Sequence, residues 1–129
     1  MPDRSDFSIL IVDDQPSART LLRAGLEYLG FSKITECGDG VEAFKHLVQS
    51  PAQLVISDLT MPKADGLVLL AAIRKQPALE KTPFIMLTSD GEANTVVKAQ
   101  KLNVSNYLVK PFTVATLKRR IEEVVGPLT

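Results

Sequence analysis

One cysteine, no net charge, no long apolar run and no secretory start mark this sequence. Cys37 stands alone, so no internal disulfide can form, and a reducing compartment fits best. Fifteen basic residues balance fifteen acidic ones, which removes the electrostatic case for a nucleic-acid or membrane partner. The opening MPDRSDFSILIVDD has no basic stretch followed by a long apolar core, so it is not read as a secretory signal. No apolar run reaches the length needed to cross a bilayer. A cytoplasmic location, no membrane insertion and a monomer are the resulting expectations.

What is present suits a packed domain. Of 129 residues, 45% are hydrophobic, enough for one sizeable core. No composition break, low-complexity tract or internal linker divides the chain. One domain over residues 1–129 is expected, with a core of about 8–125 and no separate output domain.

Two periodicities alternate along the chain. Short apolar runs read as strands at residues 8–12 (SILIV), 33–37 (KITEC), 54–57 (LVIS), 84–87 (FIML) and 106–109 (NYLV). Helical patterns separate them. The first runs from about Pro16 to Leu29, with Leu21, Leu22, Gly25, Leu26 and Leu29 on one stripe, Pro16 in its first turn and Gly30 as its stop. Further helices are expected near Val41–Gln49, from an Asp65 cap to Lys75, and near Glu92–Leu102. The last follows a Thr113 cap, carries Leu117, Ile121, Val124 and Val125 on its inner stripe, and ends at Gly126-Pro127. Five strand-then-helix units imply an α/β fold: a doubly wound parallel sheet with helices on both faces. The apolar strands suit burial on both sides.

Ligands of open parallel sheets sit beyond the carboxyl ends of the strands. Those ends here hold Asp13 and Asp14, Asp58, Thr88 and Ser89, and Lys110. Three neighbouring carboxylates repel, so protons or a cation must join them. Mg²⁺ fits, because it takes hard oxygen ligands and commonly combines carboxylates with phosphate oxygens. Lys110 adds a point charge suited to a phosphate oxygen, and Thr88 adds a hydroxyl donor. An aspartate can act as nucleophile and carry a phosphoryl group. Asp58 is the candidate, since it stands alone at its strand end, opposite the paired acids.

The motifs VDD at 12–14, SDLTMP at 57–62, DG at 65–66, TS at 88–89 and YLVKPF at 107–112 closely resemble those of response-regulator receiver domains, the CheY-like chemotaxis type above all. The resemblance runs from about Ser8 to Val125. It implies a flavodoxin-like strand order 2-1-3-4-5. It implies phosphoryl transfer to Asp58 from a histidine kinase or histidine phosphotransfer protein, in a two-component system. It implies Mg²⁺ held by Asp13, Asp14, Asp58 and the backbone carbonyl of Thr60, with Asp13 acting partly through water. Lys110, Thr88 and the Ser89 amide would hold the phosphoryl oxygens, Tyr107 would be the aromatic switch, and Thr60 and Asp90 would flank the path of the hydrolytic water. It further implies an output surface of fourth helix, fifth strand and fifth helix, bearing Lys98, Lys101, Lys118 and Arg119. A flagellar motor switch component is the expected target; a phosphorelay intermediate or a phosphate sink is the alternative. One departure is visible: many receivers have Ala-Gly-Ala after the fourth helix, and this chain has Leu102-Asn103-Val104. Asn103 can take the left-handed conformation that a helix end needs.

Taken singly, these residues have plainer readings. An Asp at a strand end is usually a turn or cap residue, Thr88 a backbone-bonded hydroxyl, Lys110 a surface lysine and Tyr107 a core-edge aromatic. Cys37 reads as a small buried residue, and His46 as exposed rather than a ligand or phosphate carrier. Most X–Pro bonds are trans, so the residues alone favour trans at Pro111, whereas the resemblance suggests cis. Among rival functions, an aspartate-based phosphohydrolase of the haloacid-dehalogenase type needs its acids two apart on the first strand, and here they are adjacent. A flavin module needs a phosphate-cradling loop after the first strand, and DDQPSAR is acidic and lacks glycine. A degenerate receiver used only for docking would not need the intact Asp, Thr and Lys set.

Overall fold

The computed structural model describes residues 4–61, 63–89 and 93–128, leaving aside the side chains of 93–96. Strands β1 (Ser8–Val12), β2 (Lys33–Cys37), β3 (Leu54–Asp58), β4 (Phe84–Ser89) and β5 (Asn106–Lys110) form one parallel sheet in the order β2-β1-β3-β4-β5. Between and after them run α1 (Pro16–Tyr28), α2 (Gly40–Gln49), α3 (Gly66–Lys75), α4 (Ala93–Lys101) and α5 (Val114–Val125). This is the expected doubly wound, flavodoxin-like arrangement.

Alternation along the strands divides the interior in two. Ile9 and Ile11 of β1, Leu54 and Ile56 of β3, and Ile85 and Leu87 of β4 pack with Leu22 and Leu26 of α1 and Leu117 and Ile121 of α5. Leu10, Val12, Val55, Phe84 and Met86 point the other way, against α2, α3 and Ala99 of α4. The period-two rule thus builds both cores from the same strands. β2 departs from the expected double burial: its residues alternate between exposed and partly buried up to Cys37. It is an edge strand, and its sequence KITEC is correspondingly polar.

The caps follow the sequence. Asp65 accepts from Val68 N at 2.9 Å and Thr113 from Thr116 N at 3.1 Å, and Asp39 caps α2 through Glu42 N at 2.8 Å. Gly30 and Gly126 take positive φ, and so does Asn103, at 59°. The α1 stripe needs one correction. Leu22, Gly25, Leu26 and Leu29 are buried, but Leu21 is 66% exposed. A step of about 100° from Leu22 turns it away from the sheet. The expected helix start at Glu92 lies outside the described residues. No helix among the described residues is long and apolar enough to cross a membrane.

Candidate functional site

Register assembles the site. Val12 pairs with Ser57, so Asp13 and Asp58 are the next residues on adjacent strands. Asp58 pairs with Leu87, and Ser89 pairs with Lys110. Side chains separated by up to 97 positions therefore meet at one rim. Lys110 Nζ lies 2.9 Å from Asp58 Oδ1 and 3.3 Å from Asp13 Oδ2. Carboxylate oxygens of Asp13, Asp14 and Asp58 all lie within 4.8 Å of one another. Asp13 is buried, Asp58 half-buried and Asp14 exposed. The Lys110–Pro111 peptide bond is cis.

The loop after β3 is seated by two glycines. Gly66 begins α3 directly beneath the end of β3: a Cβ there would lie 2.6 Å from the Asp58 carbonyl oxygen and 2.7 Å from Met86 Sδ. Gly40 packs as closely on the Ala64 carbonyl, so the start of α2 abuts the same loop. Lys63, in the left-handed conformation, reaches Asp39 at 3.6 Å. The Asp65-Gly66 pair therefore serves as a cap and also allows this close approach.

Charge in the cleft is unbalanced. Burial pushes the Asp58 carboxyl above its ordinary range, with the Asp13 charge adding to it; the Lys110 bond opposes this without overcoming it. Burial also works against the Lys110 ammonium, but Asp58 and Asp13 together outweigh it and hold that group above its usual value. One ammonium, paired with two of three clustered carboxylates, leaves excess negative charge that a hard divalent cation would neutralise. The donor set fits Mg²⁺ on that ground. Asp14, Asp58, Leu59, Thr60, Ser89 and Lys110 line the cleft.

Of the other residues expected here, Ser89 is exposed on the cleft, but Thr88 is only 3% exposed and does not line it. Tyr107 is partly buried against the α2–α4 core, and burial pushes its phenol up. Asp90 lies outside the described residues. Cys37 is buried, and its thiol is pushed up to about 11, first by burial and then by Glu42. His46 is partly buried rather than exposed, because α2 turns it towards a polar hollow beside Ser8, Lys33 and Thr35.

Sequence reasoning missed Arg19. Its Nη1 donates to the Asp13 carbonyl oxygen at 2.6 Å, and its Nε donates to Glu36 Oε1 at 3.1 Å. Arg23 Nε donates to Glu36 Oε2 at 2.6 Å, and Arg23 Nη2 to the Ile34 carbonyl at 2.8 Å. The spacing of Arg19 and Arg23 on one helix face was visible, but their common partner lies on β2.

Comparison with known proteins agrees with this geometry. The family described as response regulator receiver domain matches residues 9–122. A probable chemotaxis protein CheY from Rhizobium etli is 46% identical over 122 residues, covering 95% of each chain. Chemotaxis protein CheY1 of Helicobacter pylori is 36% identical, over 93% of this chain and 98% of its own. Among solved structures, chemotaxis response regulator CheY4 of Vibrio cholerae superposes with a TM-score of 0.85 at 28% identity, covering 92% of this chain and 98% of its own. The receiver domain of a Pseudomonas aeruginosa sensor histidine kinase, with magnesium in its active site cleft, gives 0.84 at 28% identity, over 93% and 98%.

Proposed function

The chain belongs to the response regulator receiver domain family, and we propose that Asp58 is its phosphoryl acceptor, fed by a histidine kinase or histidine phosphotransfer protein. The observation that carries this reading is the half-buried Asp58 carboxylate set 2.9 Å from Lys110 and within 4.8 Å of two further acids. An Asp58 oxygen attacks phosphorus in line; the new P–O bond forms as the P–N bond to the donor imidazole breaks, and the imidazole keeps the electron pair. Lys110 balances charge on a phosphoryl oxygen, and the Ser89 amide and Thr88 hydroxyl hold the others. Asp13, Asp14, Asp58 and the Thr60 carbonyl would hold Mg²⁺, which would supply further neutralisation of the phosphoryl charge. The protein catalyses its own phosphorylation and dephosphorylation and no other turnover. We place it in the cytoplasm.

The signal leaves through Thr88. Its hydroxyl must come up to the rim to reach a phosphoryl oxygen, and Tyr107, packed on the same side of the sheet as α4, follows. The changed α4–β5–α5 surface then binds a target in chemotaxis, a flagellar motor switch component. The relatives' names support the chemotaxis part of that assignment.

Acetyl phosphate with Mg²⁺ should add one phosphoryl group by mass spectrometry, and Asp58→Asn should take up none. Equal labelling of that variant would overturn the assignment.

A further inference from the structure

Asp13 and Asp14 share a peptide plane, and the orientation of that plane decides how their side chains leave the backbone. Asp13 N donates to the Cys37 carbonyl at 3.1 Å, so the near side of Asp13 is still tied to β2. The chain then leaves the sheet. On the far side, the Asp13 carbonyl oxygen accepts from Arg19 Nη1 at 2.6 Å, while Asp13 Oδ1 accepts from Gln15 N at 3.0 Å. The residue preceding α1, Gln15, makes no side-chain cap bond, so the cap does not steady this turn.

Arg19 is itself held from outside its helix. Its planar fork places Nη1 on the Asp13 carbonyl and Nε on Glu36, and Glu36 is clamped from its other oxygen by Arg23. The side chains of Arg19 and Glu36 are only 20% and 30% exposed, so water competes weakly for these bonds. We propose that Arg19 is a positioning residue for the metal-holding acids: it fixes the Asp13–Asp14 peptide plane from the edge strand through Glu36. The inference rests on the reading of the site given above.

Arg23 provides the control, because it shares Glu36 and the β2 edge but does not touch Asp13. Replacing either arginine by glutamine removes one positive charge, which by itself would tighten Mg²⁺. Loss of a group that orients metal ligands costs about tenfold or more in affinity. Mg²⁺ binding should be measured by calorimetry on wild type, Arg19→Gln, Arg19→Lys and Arg23→Gln, with the Asp14 amide followed by NMR. Arg19→Gln should weaken Mg²⁺ by about tenfold and shift the Asp14 amide before metal is added. Arg19→Lys keeps the charge but not the fork, and should fall between. Arg23→Gln loosens only Glu36 and reaches Asp13 indirectly, so it should cost clearly less than Arg19→Gln, about threefold at most. Equal or tighter binding by Arg19→Gln, or the same loss in Arg23→Gln, overturns the inference while leaving Asp58 untouched. No Mg²⁺ binding by wild type would overturn the reading of the site and this inference with it.

Discussion

Glu36 lies between two guanidinium groups, and its carboxyl is held below the ordinary glutamate range by the Arg23 bond first and by Arg19 as well. A carboxyl lowered in the folded state contributes stability above the unfolded value and loses it as pH falls through the folded one. Glu36→Gln should therefore cost about 1 kcal/mol at pH 7, where two charged hydrogen bonds are weakened. The gap between variant and wild type should narrow as the pH drops below the ordinary glutamate value and close only below the lowered one. Urea unfolding at pH 7 and at pH 3.5 checks this; an equal gap at both would refute it. At the same scale, the place of Asp58 in the acid cluster could be read from the sequence, because its company at strand ends is confined to a few positions. Arg19 could not, because its meaning depends on which strand lies beside α1.

Among the elements, the turn after α4 tests how much a missing glycine matters. Asn103 sits at φ 59° where a glycine would be unstrained, and its carbonyl accepts from Arg74 Nε at 3.1 Å and Nη2 at 2.9 Å. Arg74 also reaches the Thr82 and Glu80 carbonyls, so one side chain ties the end of α3 to two later loops. These bonds use backbone oxygen, so a side-chain change at 103 isolates the conformational cost. Asn103→Ala should destabilise by about 1 kcal/mol in a urea melt, and Asn103→Gly should not. The left-handed Asn was legible from the sequence, because few other side chains tolerate that conformation. The exposure of Leu21 was not, since an apolar residue at the border of a stripe fits either side. The exposed β2 was signalled only by its polar composition, and its edge position followed from topology.

For the whole molecule, metal held by the acid cluster would couple to folding. If Mg²⁺ binds only the folded state, a hundredfold excess over its dissociation constant should add about 2.7 kcal/mol of stability. Asp13→Asn should abolish most of that gain, read as the Mg²⁺-dependent shift of the urea midpoint. The proposed output surface belongs to this scale too. Lys98, Lys101, Lys118 and Arg119 are exposed, and Val97 and Val109 beside them are 50% and 47% exposed, a mixture suited to an acidic amphipathic helix. Lys101→Glu with Arg119→Glu should weaken capture of an acidic target helix by the phosphorylated protein while leaving the rate of phosphorylation unchanged. A target insensitive to both would place the output on another face. Registry, finally, separates what folding requires from what binding requires. A strand shifted by two residues keeps every side chain on its proper side of the sheet. Such a shift between β1 and β3 would nonetheless carry Asp13 about 6.6 Å from its place beside Asp58. Hydrophobic burial alone therefore tolerates an arrangement that the ion does not, and metal affinity becomes a finer reporter of strand alignment than the melting of the fold.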